Sequence, residues 1–342
     1  MKIIHWNDSK KSHPITGIGR YEDELFNAIR ALGRDFEIER IQRVENRVAG
    51  SVPVSWLLRY RRKQAVIVHA TAPVIAPVVY FRRPKSFVVT VHDLSPLIDP
   101  SVITDSSMKL QWMLVPNALK KVDRIIAVSE FTKKEVVRLA GVGESMIDVV
   151  HEAVDGSKYY PMDKSKCKER LGFGTNDKHI LVVASNLRRK RMDLTKEVFE
   201  EVRKRRVDVK LVKAGYAEAL SGDHIINTGW IPEGEMPILY NCADVLLCTS
   251  EYEGFCLPIL EAMSCGVPVV SSNKASIPEI IGSYGTMVDL DSDNIVEQFT
   301  EKILSCIDKG KDEKAIEQSR NFSWEKAAKE TLKVYEEAYY GD

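Results

Sequence analysis

The chain has 342 residues, 44% hydrophobic and 29% charged, the make-up of a soluble globular protein with a length suited to two domains, each able to bury a core. Its 49 Lys+Arg balance 49 Asp+Glu, and a net charge of zero argues against nucleic acid as a partner. The zero hides an asymmetry: residues 1–155 carry 23 Lys+Arg against 18 Asp+Glu, a net of +5, and residues 156–342 carry 26 against 31, a net of −5. A basic first half favours an anionic acceptor or a membrane surface, or is chance.

The six cysteines, at 167, 242, 248, 256, 265 and 306, show no C-x-x-C pair and no metal spacing. Cys242, Cys248 and Cys256 stand in apolar settings and read as small core residues. Reduced thiols and a cytoplasmic location are the expectation. Met1-Lys2-Ile3-Ile4-His5-Trp6 runs into a polar loop, so no signal peptide is expected. No run approaches the ~18 apolar residues of a spanning helix.

Lys2 to Trp6 reads as a first strand. Thr16-Gly17-Ile18-Gly19 then opens an amphipathic helix, with Tyr21, Leu25, Ala28, Ile29 and Leu32 at helical spacing. A glycine-rich turn before a helix lets a phosphate approach the backbone, and it is equally a flexible turn with no ligand. The third glycine and the acidic residue of a dinucleotide fingerprint are missing. Phe36 to Ile41 reads as a second strand. Residues 55–63, aromatic, apolar and basic together, fit either a core-facing amphipathic helix or one lying on anionic lipid.

Val66 to His69 and Ser86 to Val91 read as buried parallel strands. The second runs into His92-Asp93-Leu94-Ser95-Pro96-Leu97, which puts His92 at a strand's carboxyl end, where open α/β sheets bind ligands. Asp93 orients it or caps the next turn. Arg124 to Ser129 is another strand, with Ser129 as a helix N-cap, and Met146 to Val150 is the last strand of the first domain. A polar stretch from 156 to 177 places the linker there.

His179 to Ala184 begins the second domain and leads into Arg188-Arg189-Lys190-Arg191, four cations at a strand's carboxyl end. This is a solvated basic loop or a clamp on a leaving diphosphate, whose growing charge fixed cations would stabilise. Asp289-Leu290-Asp291 looks like a metal-binding D-x-D, but it lies far along the chain from these cations, and Asp293 reads as the cap of the next helix. The cations do a metal's work, so no metal ligands and no cofactor are expected.

Val245 to Cys248 reads as a short buried strand, followed by Glu253-Gly254-Phe255-Cys256-Leu257-Pro258-Ile259-Leu260-Glu261. Pro258 suits the first turn of a helix and Gly266 its left-handed cap. The N–H groups of Gly254, Phe255, Cys256 and Leu257 make an anion site with a carboxylate on either side. A phosphate flanked by two polyols is a nucleotide sugar.

The run EGFCLPILEAMSCGVPVV, with its Glu-x7-Glu spacing, closely resembles the signature of the family 4 retaining glycosyltransferases, and Ser276-Ile277-Pro278-Glu279 extends the likeness. The resemblance implies an α/β fold of two Rossmann-like domains facing a deep cleft, the glycosyltransferase B fold. Residues 1–155 would form the acceptor-side domain and 156–322 the nucleotide-sugar domain, with a helix over 323–342 crossing back to the first. It implies that Gly17 and Gly19 face the donor phosphates, and that His92 contacts the transferred sugar. Arg189 and Lys190 would hold the diphosphate, and backbone near Ile231 would read the base. Glu253 would hold the sugar's hydroxyls and Glu261 the ribose. An Asn-Gly turn that relatives carry at the hinge is replaced here by His151-Glu152-Ala153.

The expected activity is transfer of a hexose, of mannose or glucose type, without a metal, to a glycan, lipid-linked or polyol acceptor. The donor is a GDP- or UDP-linked co-substrate. The HDLSPL form is similar to that of mannosyltransferases using GDP-mannose. A diphosphate oxygen would take the acceptor's proton, with Glu253 as covalent nucleophile the lesser alternative. A UDP-sugar transferase, a sugar-nucleotide epimerase and a non-catalytic sugar-nucleotide-binding protein remain open. Peripheral contact with the cytoplasmic membrane face through the basic first half is also open.

Overall fold

The structure, a computed structural model, describes residues 2–8, 17–33, 36–42, 67–81, 83–103, 105–215 and 219–341. The basic aromatic stretch 55–63 lies outside the described residues. The chain divides into two compact units, Met1–Glu152 with Trp324–Asp342, and Ala153–Ser323.

The first unit alternates strands and helices: β1 (Lys2–Asn7), α1 (Gly17–Leu32), β2 (Glu37–Gln42), β3 (Ile67–Ala70), β4 (Ser86–Val91), α2 (Ser106–Leu119), β5 (Arg124–Ala127), α3 (Glu130–Ala140) and β6 (Ile147–Val149). The strands form one parallel sheet in the order β2-β1-β3-β4-β5-β6. Every residue of β3 and β4 is buried, which is why they read as unbroken apolar runs. Trp6, Val68, Phe87, Val89 and Ile125 pack into the same core. Ser129 caps α3 as expected, its hydroxyl accepting from Thr132 N at 3.0 Å.

The second unit repeats the pattern with α4 (Lys164–Leu171), β7 (Lys178–Val183), α5 (Met192–Arg205), β8 (Val209–Ala214), β9 (Ile225–Gly229), α6 (Met236–Cys242), β10 (Val245–Cys248), α7 (Leu257–Ser264), β11 (Val269–Ser272), α8 (Ile277–Ile281), β12 (Thr286–Val288), α9 (Ile295–Cys306) and α10 (Glu313–Ser319). Its parallel sheet runs β12-β11-β10-β7-β8-β9. The chain builds outward from β7 in one direction and from β10 in the other. The crevice at the carboxyl ends of these two adjacent strands is the topological switch point, where doubly wound sheets bind ligands.

Gly266 follows α7 with φ +73°, and Gly266 N and Val267 N donate back to Met263 O and Ala262 O, both at 2.9 Å. This is the left-handed closure that the sequence indicates. Asp289 and Asp291, which the sequence sets aside as metal ligands, lie 3.5 and 2.5 Å from Lys274 in an ion-pair group. Asp293 does not cap α9. The helix starts one residue later, and the cap position falls to Asn294, which makes no side-chain cap bond.

The last helix, α11 (Trp324–Tyr340), belongs to the first unit and packs on α1, β3, β4 and β5. Its buried stripe is Trp324, Ala327, Ala328, Thr331, Val334 and Tyr335, spaced three or four residues apart. Among the described residues no helix is long and apolar enough to cross a membrane.

Candidate functional site

The carboxyl ends of β7 and β10 carry the site in the second unit. After β7 the chain makes a single 3-10 turn, Arg188–Lys190, and Arg191 follows with φ +51°. A non-glycine residue there costs on the order of 1 kcal/mol and persists only when its surroundings hold it. They do. Thr249, at the end of β10, donates its hydroxyl to Lys190 O and Arg191 O at 3.0 and 3.1 Å. Glu251 N donates to Arg189 O at 2.8 Å. Arg191 itself pairs with Glu251 at 2.6 Å.

This bolting aims two cations at one carboxylate. Arg189 Nη1 donates to Glu253 Oε2 at 3.1 Å and to Tyr252 O at 2.7 Å, and Lys190 Nζ donates to Glu253 Oε1. Glu253 is only 5% exposed. Its backbone is pinned from the far side, where Ser276 Oγ donates to Glu253 O at 3.0 Å. Burial pushes the Glu253 carboxyl up, but the Lys190 ammonium and the Arg189 guanidinium outweigh it and hold the group below the usual carboxylate range. Burial likewise pushes Lys190 down, and Glu253 overcomes it, leaving the ammonium more firmly protonated than usual. The site therefore contains a carboxylate and two cations at neutral pH.

The loop 254–256 leads into α7. Phe255 is buried edge-on against Phe322 at 5.9 Å. Cys256 occupies the N-cap position, its carbonyl accepting from Ile259 N at 3.0 Å, and Leu257 and Pro258 begin the helix. The first N–H groups of α7 have no partner within the helix, and its positive end lies beside Glu253. One turn on, Glu261 is 2% exposed and its Oε2 accepts the Tyr240 hydroxyl at 2.6 Å. Ile231 stands half-buried in the loop after β9.

Cys248 and Cys256 bring their sulfurs to 3.9 Å of each other. The sulfur–sulfur hydrogen bond lowers the Cys248 thiol and raises Cys256 well above its ordinary value, burial adding to the rise at Cys256. No C-x-x-C spacing signals this pair, because the strand and the helix cap that meet here are joined by a seven-residue loop.

In the first unit Gly17 and Gly19 lie inside the first turn of α1 rather than in a loop ahead of it, with Gly17 exposed and Gly19 buried. His92 follows β4 and is 8% exposed. Its Nδ1 is 2.7 Å from Glu152 Oε1 and its Nε2 is 2.9 Å from Thr71 O. A carbonyl and a carboxylate only accept, so the two contacts suit a ring with both nitrogens protonated. Burial pushes His92 down, but the hydrogen bond and charge of Glu152 raise it above its ordinary value. Of the two roles the sequence leaves to Asp93, orienting this ring or capping the next turn, the contacts fit the second: its Oδ1 accepts from Ser95 N and Oγ at 3.0 and 2.8 Å. Glu152 was missed, and its place in the hinge sequence offers no signal for it.

Behind His92 runs a buried polar chain that sequence reading also missed. Tyr21 sits edge-on to the His92 ring at 4.6 Å and shares a hydrogen bond with Thr90 at 3.0 Å. Thr90 meets His69 Nε2 at 2.7 Å. The Tyr335 hydroxyl of α11 joins His69 Nδ1 at 2.6 Å and His5 Nε2 at 2.8 Å. Burial pushes His5 down to about 3 and His69 well below its ordinary value, so both are neutral.

The model of Glycosyltransferase Family 4 matches residues 18–158, and that of Glycosyl transferases group 1 matches residues 163–322. The chain is similar to O-antigen chain mannosyltransferase B of Escherichia coli, 27% identical over 387 aligned residues that cover 98% of this chain and 99% of that one. It is also similar to the GDP-mannose-dependent alpha-(1-6)-phosphatidylinositol monomannoside mannosyltransferase of Mycolicibacterium smegmatis. There the identity is 28% over 206 residues, covering 52% of this chain and 54% of the relative. Among solved structures, sucrose-phosphate synthase from Thermosynechococcus elongatus superposes with a TM-score of 0.79 at 16% identity, each chain covered at 100%. That is a likeness of fold.

Proposed function

Because this chain belongs to the family 4 glycosyltransferases, with their two Rossmann-like domains, we propose that it is a retaining, metal-independent hexosyltransferase. It moves mannose from GDP-mannose to a glycan, lipid-linked or polyol acceptor. The single observation that carries the reading is the convergence of Arg189 and Lys190 on Glu253 beside the N-terminus of α7, at the switch point of the second sheet. Two fixed cations and a helix N-terminus are what a departing diphosphate needs, since its charge grows as the glycosidic bond breaks. The mannosyl donor is favoured by the names of the two relatives.

When the diphosphate enters, its oxygens replace Glu253 as partners of Arg189 and Lys190. Glu253 is then released to accept hydroxyls of the transferred sugar. Glu261, already holding Tyr240, has further acceptor capacity for ribose hydroxyls. Ile231 backbone serves the base, and Gly17 and Gly19 the phosphates. The acceptor hydroxyl attacks the face that the nucleotide leaves, and a diphosphate oxygen takes its proton. His92 meets the transferred sugar as a cation. Both its ring protons are engaged in the structure, so the sugar must take one of them from Thr71 O.

Thermal unfolding with GDP, UDP, ADP and their sugars, each without and with Mg²⁺, tests the donor. The expected result is stabilisation by GDP and GDP-mannose without metal, and formation of an α-mannoside from GDP-α-mannose. A folded protein that none of these nucleotides stabilises would sink the reading.

A further inference from the structure

The fold gathers three side chains that sequence spacing does not associate. Cys248 closes β10, Cys256 occupies the N-cap of α7 and Glu253 lies in the loop between them. One ligand atom from each falls within 4.8 Å of the others. We propose that Cys248, Cys256 and Glu253 bind a single thiophilic divalent cation, Zn²⁺ or Cd²⁺, through two thiolates and one carboxylate.

The distances favour a metal over a crosslink. Two sulfurs bound at about 2.3 Å around a tetrahedral ion stand about 3.8 Å apart. The observed separation is 3.9 Å. A disulfide would need the sulfurs at about 2.05 Å, well inside the observed separation. Both backbones are already fixed, Cys248 in the sheet and Cys256 by the bond from Ile259 N to its carbonyl. Ser250 Oγ lies 3.6 Å from Cys248 Sγ, so the fourth position opens on a hydroxyl or water.

The charges balance too. On loading, each thiol gives up one proton to solvent and the ion brings two positive charges, so the net charge facing Arg189 and Lys190 is unchanged. Two sulfurs and one oxygen suit Zn²⁺ or Cd²⁺ and reject Mg²⁺ and Ca²⁺, which prefer all-oxygen sites. The site is therefore separate from any Mg²⁺ that a nucleotide carries. Loading draws Glu253 away from Lys190 and Arg189. Inhibition of transfer by thiophilic ions follows from this, and that consequence alone rests on the function proposed above.

The test is titration of the reduced full chain with Cd²⁺, read by the ultraviolet thiolate-to-cadmium band, together with X-ray absorption on the Zn²⁺-loaded wild type. One ion per chain is expected, with two sulfur neighbours at about 2.3 Å. Cys248→Ser and Cys256→Ser should each weaken binding by at least about tenfold, and Glu253→Gln should weaken it about as much while keeping the band. Cys306→Ser should change nothing. Cys167 and Cys242 share an apolar cluster and are the internal competitors. A band lost in Cys242→Ser but kept in Cys248→Ser overturns the proposal. So does a zinc spectrum without sulfur, which needs no variant to fold. Binding with two sulfurs but undiminished transfer supports the metal site and removes Glu253 from the reaction.

Discussion

Lys190 and Arg189 reach Glu253 across 63 and 64 residues of chain, and the carboxylate they meet is almost fully buried. Lys190→Ala should lower kcat by about 10²–10³-fold, the usual cost of one fixed donor at developing charge. It should weaken GDP binding as well, and steady-state kinetics with calorimetric titration separate the two effects. Retention of wild-type kcat would remove the diphosphate from this cation. His92 offers a pH test. Its folded pKa is raised, so its contribution to stability is fully present below the unfolded value of about 6.5 and is lost as pH rises through the folded value. The buried His5 and His69 have lowered values and act oppositely, losing stability as pH falls below about 6.5. Glu22, which accepts from Thr71 at 2.6 Å, also raises His92 and remains in both proteins compared. The difference between wild type and Glu152→Gln in urea unfolding therefore isolates the Glu152–His92 pair. It should be largest at mildly acid pH, where the ring is charged and the carboxylate ionised, and shrink both toward alkaline pH, as the ring loses its proton, and toward strongly acid pH, as the carboxylate gains one; a difference independent of pH would show that Glu152 acts by packing alone.

At the scale of elements, the strands and helices were largely legible because local physics decides them. Buried parallel strands are continuous apolar runs, and Ser129 and Gly266 announce the helix ends they make. The failure was local too: Asp293 stands one residue too early to cap α9. Gly215 carries a constraint of a different kind. It follows β8 with φ +121°, and a Cβ there would lie 2.7 Å from the carbonyl oxygen of Ala184, the residue after β7 on the way to Arg189. Gly215→Ala should cost about 1–3 kcal/mol. Chemical denaturation checks this, and an unchanged midpoint would mean that the β7–β8 edge yields freely.

For the whole molecule, the two units have separate cores and need not unfold together. Differential scanning calorimetry with GDP should raise the transition of the second unit, which holds Arg189, Lys190 and Glu253, by about 2.7 kcal/mol at a hundredfold excess over Kd. A shift confined to the first unit would contradict the placement of the donor. By itself the sequence determined the alternation of elements, the Glu253-to-Glu261 run at a strand's carboxyl end and the cations at 188–191. Each of these depends on neighbours a few residues away. Only the tertiary structure decided that Lys190 and Arg189 close on Glu253, that Glu152 rather than Asp93 holds His92, that Tyr335 joins His5 and His69, and that two thiols and a carboxylate share one corner. Those meetings follow from the order of strands in each sheet, which sets distant residues side by side and leaves no mark in local spacing.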